Sequence, residues 1–406
     1  MINISKETVI TLAKRYGDAF YLLDSKQYQK NYEKLFKAFS SIYPNFNIGY
    51  SYKTNYTPKL CQTVNELGSY AEVVSEMELE LALHCGVHPD KIIWNGPVKN
   101  IEKVITLLLE GGLVNVDNLV ELNDIQRELL QYSHKKVRLG IRCNFDVGDG
   151  VTSRFGFDVE SSEFEEAIQL FQNNHNLFLA SVQCHFAKRD IKYWSARVEG
   201  LIARVHQIAD KIGYLPDIID FGGGMYGNMS DDLQKQFDTH IPSYSDYANI
   251  VATKMLEQFP NHKPQLVVEP GSALVGDCMQ FVGKVTSIKK VRDKYFATVM
   301  GSQKNINMTG VNPPLTIIEA GDNRTYYQNL DIVGYTCIEN DVLFKNYDGF
   351  LAKDDFLVFG NCGSYSLVMK PPFILPNFPV LDISHEKVEL IKQEETFEDI
   401  FHTFIF

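Results

Sequence analysis

Between residues 46 and 270 short apolar runs alternate with helix-like segments, and this rhythm limits the possible folds more than any other feature of the chain. The apolar runs fall at 46–52, 70–74, 91–94, 113–116, 136–141, 178–184, 218–221 and 265–268. Segments of helical periodicity separate them at 58–67, 76–85, 101–110, 118–132, 161–173, 190–212 and 244–259. Strands that alternate with helices are joined by crossovers and therefore run parallel. Eight of them point to a closed (β/α)8 TIM-like barrel of the α/β class. An open doubly wound sheet is the alternative that counting alone leaves. After residue 271 helical periodicity nearly vanishes, and β-rich runs appear at 278–285, 295–300, 315–319, 331–335, 356–359 and 387–390. The expected organisation is an N-terminal segment over 1–25 packing with the β domain, a barrel over 26–270, and a mostly-β domain over 271–406.

The 406 residues are 45% hydrophobic and 22% charged, a composition typical of a globular protein. A net charge of −12 argues against a nucleic-acid backbone or an anionic membrane as the main partner, though not against a small anion in a local pocket. No apolar run reaches the roughly 18 residues of a membrane span, and the N-terminus has no signal-peptide pattern, so a cytoplasmic location is expected. The seven cysteines, at 61, 85, 143, 184, 278, 337 and 362, are odd in number and form no CxxC pair. Reduced thiols, and neither a disulfide framework nor a metal site, are the expectation.

Active sites of such barrels lie at the C-terminal ends of the strands. The runs close on Lys53, Glu72, Asn95, Asp117, Arg142, His185, the segment 220–224 and Glu269. Any one of these, taken singly, is more often a solvated loop residue. A polar or charged residue after nearly every strand is harder to explain that way. A partly buried Lys53 would lose its proton more readily, and its neutral amine could attack a carbonyl carbon. The three consecutive glycines after Asp220-Phe let a backbone approach a ligand, with N–H groups available to phosphate oxygens. Glu269 could pair with a protonated heterocyclic nitrogen, and His185 could stack on a planar ring.

These residues, in this order, resemble the alanine-racemase-fold (fold type III) pyridoxal-phosphate decarboxylases, which include the diaminopimelate and ornithine decarboxylases. The carriers are GYSYKTN around Lys53, QCHF around His185, FGGG, and EPG at Glu269. The opening FYLLDSKQYQKNYEKLFKAF, DIVGYTCIENDVL and CGSYSL extend the likeness over about residues 18–370. The resemblance implies that Lys53 holds pyridoxal 5'-phosphate covalently and that Glu269 bonds the pyridine nitrogen. It further implies that His185 stacks on the ring, and that Gly222, Gly223, Gly224 and Tyr365 bind the phosphate. Glu72 is the acid close to the lysine. Cys337 would protonate the α-carbon from a partner subunit, so a homodimer with shared sites is implied.

Two departures from the family pattern matter. Ser272 stands where the family usually has an arginine after EPG, and Lys188 stands where it has a phosphate-binding serine. Lys188 is therefore expected to supply the missing charge, with Ser272 beside the phosphate. Ile338 and Met300 stand where the family has acids that read a distal amine; Glu339 comes one step after Ile338, and Gln303, Lys304 and Asn305 are candidate readers. This pattern points away from simple diamines such as ornithine or lysine and toward a substrate read through hydroxyl, amide or carboxylate groups, as in divergent decarboxylases of amino-acid conjugates. A racemase on the same fold and a catalytically silent relative are the competing readings. The acid at Glu269 argues against the first. Retention of Lys53, Glu269 and Cys337 argues against the second.

Overall fold

The computed structural model describes residues 4–307 and 310–406, which divide into two compact units. One comprises Asn31–Tyr226 and Ile241–Ala273; the other is built around Leu274–Phe406.

In the first unit eight parallel strands run Phe46–Ser51, Tyr70–Val73, Ile92–Trp94, Leu113–Val116, Val137–Asn144, Leu177–Gln183, Ile218–Asp220 and Gln265–Val268. The eighth pairs with both the first and the seventh, and the fourth with the fifth, so the sheet closes. Closure removes the open-sheet alternative and confirms the barrel. The helices follow the expected rhythm at Pro58–Glu66, Glu76–His84, Ile101–Leu109, Leu119–Leu129, Ser162–Asn173, Ile191–Ile212 and Tyr244–Gln258. Their starts are written in the sequence. Ser75, Asn100, Asn118, Ser161 and Ser243 each cap the first turn with a side-chain oxygen, which satisfies otherwise orphaned N–H groups.

A two-residue pleat period sorts the barrel interior into layers. Ile93, Leu113, Ala180, Ile218 and Val267 form a buried apolar cluster, with Tyr70 and Phe178 packed against it. Two residues farther along their strands stand Glu72 after Tyr70, Asn115 after Leu113 and Glu269 after Val267. The same pleat that buries the apolar side chains therefore stacks a polar layer above them, toward the strands' C-terminal ends.

The second unit holds Ala19–Leu23, which pairs antiparallel with Met279–Val291 and parallel with Val380–Asp382. Phe20, Leu22, Val282, Phe356, Val358 and Leu381 build its core. Val342–Leu351 and the first half of Thr325–Val333 were not expected as strands. Register irregularities along this pair and exposed polar residues in both break the apolar alternation that marks a strand. Gly227–His240, inside the range expected for the barrel, groups with the β unit. Its Gln236 exchanges hydrogen bonds with the Asn312 backbone, at 2.7 and 3.0 Å. Among the described residues no helix is long and apolar enough to cross a membrane.

Candidate active site

The polar layer of the barrel is one connected hydrogen-bond network. Asn115 Nδ2 donates to Asn95 Oδ1 at 2.8 Å, and Asn95 Nδ2 bridges Glu72 Oε1 at 3.0 Å and Glu269 Oε1 at 2.5 Å. Gln183 Nε2 donates to Glu269 Oε2 at 3.3 Å. Lys53, in the turn after the first strand, donates to Glu72 Oε2 and to Ser51 Oγ at 3.3 Å, while Ser51 Oγ donates to Glu72 Oε2 at 2.5 Å. Glu72 and Glu269 are buried, whereas Lys53 is partly open at 31% exposure. Room for the layer comes from Gly140, where a Cβ would overlap Asn115 Oδ1. Of the strand-end residues singled out in the sequence, Lys53, Glu72, Asn95 and Glu269 join this network. Arg142 and Asp117 form a separate buried ion pair at 3.5 Å.

Burial dominates the electrostatics. It pushes the Glu269 carboxyl well above the ordinary range, reinforced by the charges of Asp220 and Glu72 and opposed by Lys53. Burial also raises Asp220, to about 6, although the Gly222 N–H donates to its Oδ1 at 2.8 Å. Among the described residues Asp220 Oδ2 and Gln183 Oε1 have no hydrogen-bond partner. His185 is held well below the ordinary imidazole range, first by burial and then by the cations Lys53, Arg142 and Arg197. Its neutral ring accepts the Gly223 N–H on Nδ1 at 3.0 Å, which leaves the proton on Nε2.

The glycine loop is shaped by close approach. Gly222 and Gly224 take the left-handed φ values of 67° and 87°, and a Cβ at Gly222 or Gly223 would overlap the carbonyl of Cys184 or Glu269. All three N–H groups were expected to be free for phosphate. In the structure the Gly222 N–H donates to Asp220 Oδ1 and the Gly223 N–H to His185 Nδ1. The N–H groups of Gly224 and Met225 have no hydrogen-bond partner among the described residues. Behind the loop the buried Arg197 donates to the carbonyls of Gly223 at 2.6 Å and Phe186 at 2.7 Å, with its guanidinium over Trp194.

The Lys188 side chain is exposed. Arg189 is instead half-buried and directs Nη2 to Ser272 Oγ at 3.5 Å. Sequence reasoning missed Arg189 and Arg197, as well as Ser51, Asn115 and Gln183. A polar residue within the runs LVNV and LASVQ, and an arginine at a core position of helix Ile191–Ile212, are the signals that could have found three of them.

The remaining candidates lie in the β unit. Gly334, Cys337 and Asp341 form a tight turn. The Asp341 carboxylate accepts from Thr336 Oγ1 at 2.6 Å and from the Gln303 N–H at 2.7 Å, and a Cβ at Gly334 would strike it. Cys337, Ile338 and Glu339 are exposed at this turn, and Met300 is half-buried. Tyr365 adopts a left-handed φ of 61° and is half-buried. Gln303, Lys304, Ile338 and the buried Lys370 line a cavity of about 370 Å³. Asn305 cannot be a substrate reader. It is buried with Nδ2 donating to Tyr21 and Oδ1 accepting the Ser302 N–H, both at 2.9 Å.

A barrel whose mouth joins a partly open amine to two buried acids, a neutral histidine and a glycine loop defines a fold-type III pyridoxal-phosphate enzyme. Comparison with known proteins narrows the class. Residues 29–276 match the family model for the pyridoxal-binding domain of pyridoxal-dependent decarboxylases, and the chain belongs to that family. It is a pyridoxal-phosphate-dependent amino-acid decarboxylase. The chain is 26% identical over 407 residues to the diaminopimelate decarboxylase of Aquifex aeolicus, covering 96% of this chain and 92% of that one. It is 25% identical over 403 residues to the enzyme of the same name from Methanothermobacter thermautotrophicus, with the same coverage. In fold it is similar to the M. jannaschii diaminopimelate decarboxylase solved with L-lysine, at a TM-score of 0.87, 23% identity, and coverage of 98% and 94%.

The residues present fit the cofactor. An amine stands ready for an aldehyde, a buried acid that favours its proton suits a ring nitrogen, and unpartnered N–H groups suit a phosphate.

Proposed function

We propose that the chain decarboxylates diaminopimelate or a close amino acid that carries a carboxylate on its distal end. The observation that carries the chemistry is the line from the partly open Lys53 through the buried Glu72, Asn95 and Glu269 at the C-terminal ends of the strands. Bound pyridoxal phosphate supplies an electron-withdrawing ring that stabilises the carbanion left when carbon dioxide departs.

The chain's own groups do the rest. Lys53 would hold the cofactor's aldehyde through its Nζ. Glu72 holds the Lys53 ammonium and takes part in setting its proton. Glu269 would hold the ring nitrogen through a shared proton, and burial would strengthen that hydrogen bond. His185, neutral and fixed by Gly223, would pack against the ring without adding a competing charge. Cys337 Sγ of a second copy delivers the proton to the α-carbon, so the working unit is a homodimer.

For the substrate, the relatives named above favour diaminopimelate, and they lend nothing to a pocket turned toward larger conjugates. Diaminopimelate carries a distal amine as well as a distal carboxylate, so the missing acids at Ile338 and Met300 do not themselves favour it. Diaminopimelate differs from lysine by a distal carboxylate, and the cavity beside Ile338 presents Lys304 and Lys370. Purified protein should be incubated with meso-diaminopimelate, lysine, ornithine and arginine, with release of carbon dioxide and amine products read by mass spectrometry. Lysine formed from diaminopimelate, and little product from the monocarboxylates, is expected. Preference for ornithine or arginine would contradict the distal-carboxylate reading, and loss of optical rotation in the L-lysine, L-ornithine or L-arginine samples without carbon dioxide would favour a racemase.

A further inference from the structure

We infer that Arg189, together with the Ser272 hydroxyl and the N–H groups of Gly224 and Met225, forms the phosphate seat of this enzyme. The inference rests on the reading of Lys53 as the cofactor's attachment point. It assigns a different residue from the one the sequence pattern suggests.

Four observations converge. The Arg189 guanidinium lies 3.5 Å from Ser272 Oγ. No carboxylate stands within ion-pair distance of Arg189 among the described residues, so a half-buried cation is left without an anion. Its guanidinium instead lies over the Tyr226 ring, 5.5 Å from the centroid, which fixes its direction without neutralising it. Finally, one buried hydroxyl clamps the two loops together. Tyr247 Oη donates to the Arg189 carbonyl at 2.7 Å and accepts the Tyr226 N–H at 3.1 Å, two residues past Gly224.

The third loop joins in through the backbone, because the Glu269 N–H donates to the Gly222 carbonyl at 2.9 Å and Ser272 follows three residues later. Arg197 meanwhile occupies the carbonyls behind the glycine loop, so the loop's unpaired groups are donors. A planar guanidinium, a hydroxyl and two open N–H groups are what a tetrahedral dianion requires. Lys188, exposed and without a side-chain contact in the site, is left as a surface residue.

The test is a pair of titrations on the full-length apoprotein, one with pyridoxal phosphate and one with pyridoxal, read by visible absorbance of the bound chromophore. Loss of a charge-assisted contact to phosphate should weaken pyridoxal phosphate binding to Arg189→Ala by about tenfold to a hundredfold. Binding of pyridoxal, which has no phosphate, should stay near wild type. Ser272→Ala should give a smaller loss with the same selectivity, Lys188→Ala should change neither titration, and Arg189→Lys should recover part of the loss. Thermal melts of the apoproteins separate folding from binding, and Ser272→Ala carries the test if Arg189→Ala does not fold. Equal losses for both compounds, or no loss for either, would overturn the assignment. Wild-type protein that takes up neither compound would overturn the cofactor reading beneath it.

Discussion

At the scale of single residues, burial decides which groups carry charge. Glu78, on helix Glu76–His84, is pushed up to about 7 because desolvation outweighs the bond it accepts from the Val74 N–H at 2.8 Å; the nearby Glu72 charge adds to the rise and Lys53 opposes it. The sign of the linkage follows. An acid raised by folding keeps its proton in the folded chain while the unfolded chain loses its own. Stability therefore falls as pH rises from the ordinary glutamate range to about 7, then levels off. Glu78→Gln keeps an acceptor for Val74 and removes the titration. It should match wild type near pH 4 and exceed it near pH 8 by up to about 3 kcal/mol, measured by urea unfolding at both pH values. A stability difference independent of pH would contradict this account. The same physics acts on Glu269 and Asp220, both raised first by burial.

At the scale of elements, the barrel was legible because its signals are local. Eight apolar runs and their capped helices can be read from neighbours in the chain, and the structure places each close to where the runs end. Lys53, Glu72 and Glu269 were legible for the same reason: each closes a run, and period-two stacking puts polar groups one pleat above apolar ones. What was not legible depends on tertiary contact. Nothing local separates Lys188 from Arg189; Arg189 is turned inward by Tyr247, Tyr226 and Ser272, which are distant in sequence. The engagement of the Gly222 and Gly223 N–H groups likewise needs Asp220 and His185 in place. In the β unit, the bulged pair Thr325–Val333 and Val342–Leu351 hides its alternation, and Asn305 reads as polar surface although it caps a buried turn.

At the scale of the whole molecule, the account needs two copies of the chain, since the proton donor Cys337 is assigned to a partner's site. Mixing Lys53→Ala with Cys337→Ala, each inactive alone, should restore activity through hybrid dimers that keep one intact pair of contributions. Mixtures that stay inactive, although shown to exchange subunits, would place Cys337 in its own chain's site or outside the chemistry. Beneath every such step lies the covalent hold on the cofactor. The most direct measurement is borohydride reduction of the protein loaded with pyridoxal phosphate, followed by digestion and mass spectrometry of the peptides. A pyridoxyl-phosphate adduct on Lys53, absent when Lys53 is replaced by alanine, is the result this account predicts. An adduct on another lysine, or none in protein that still decarboxylates its substrate, would contradict it.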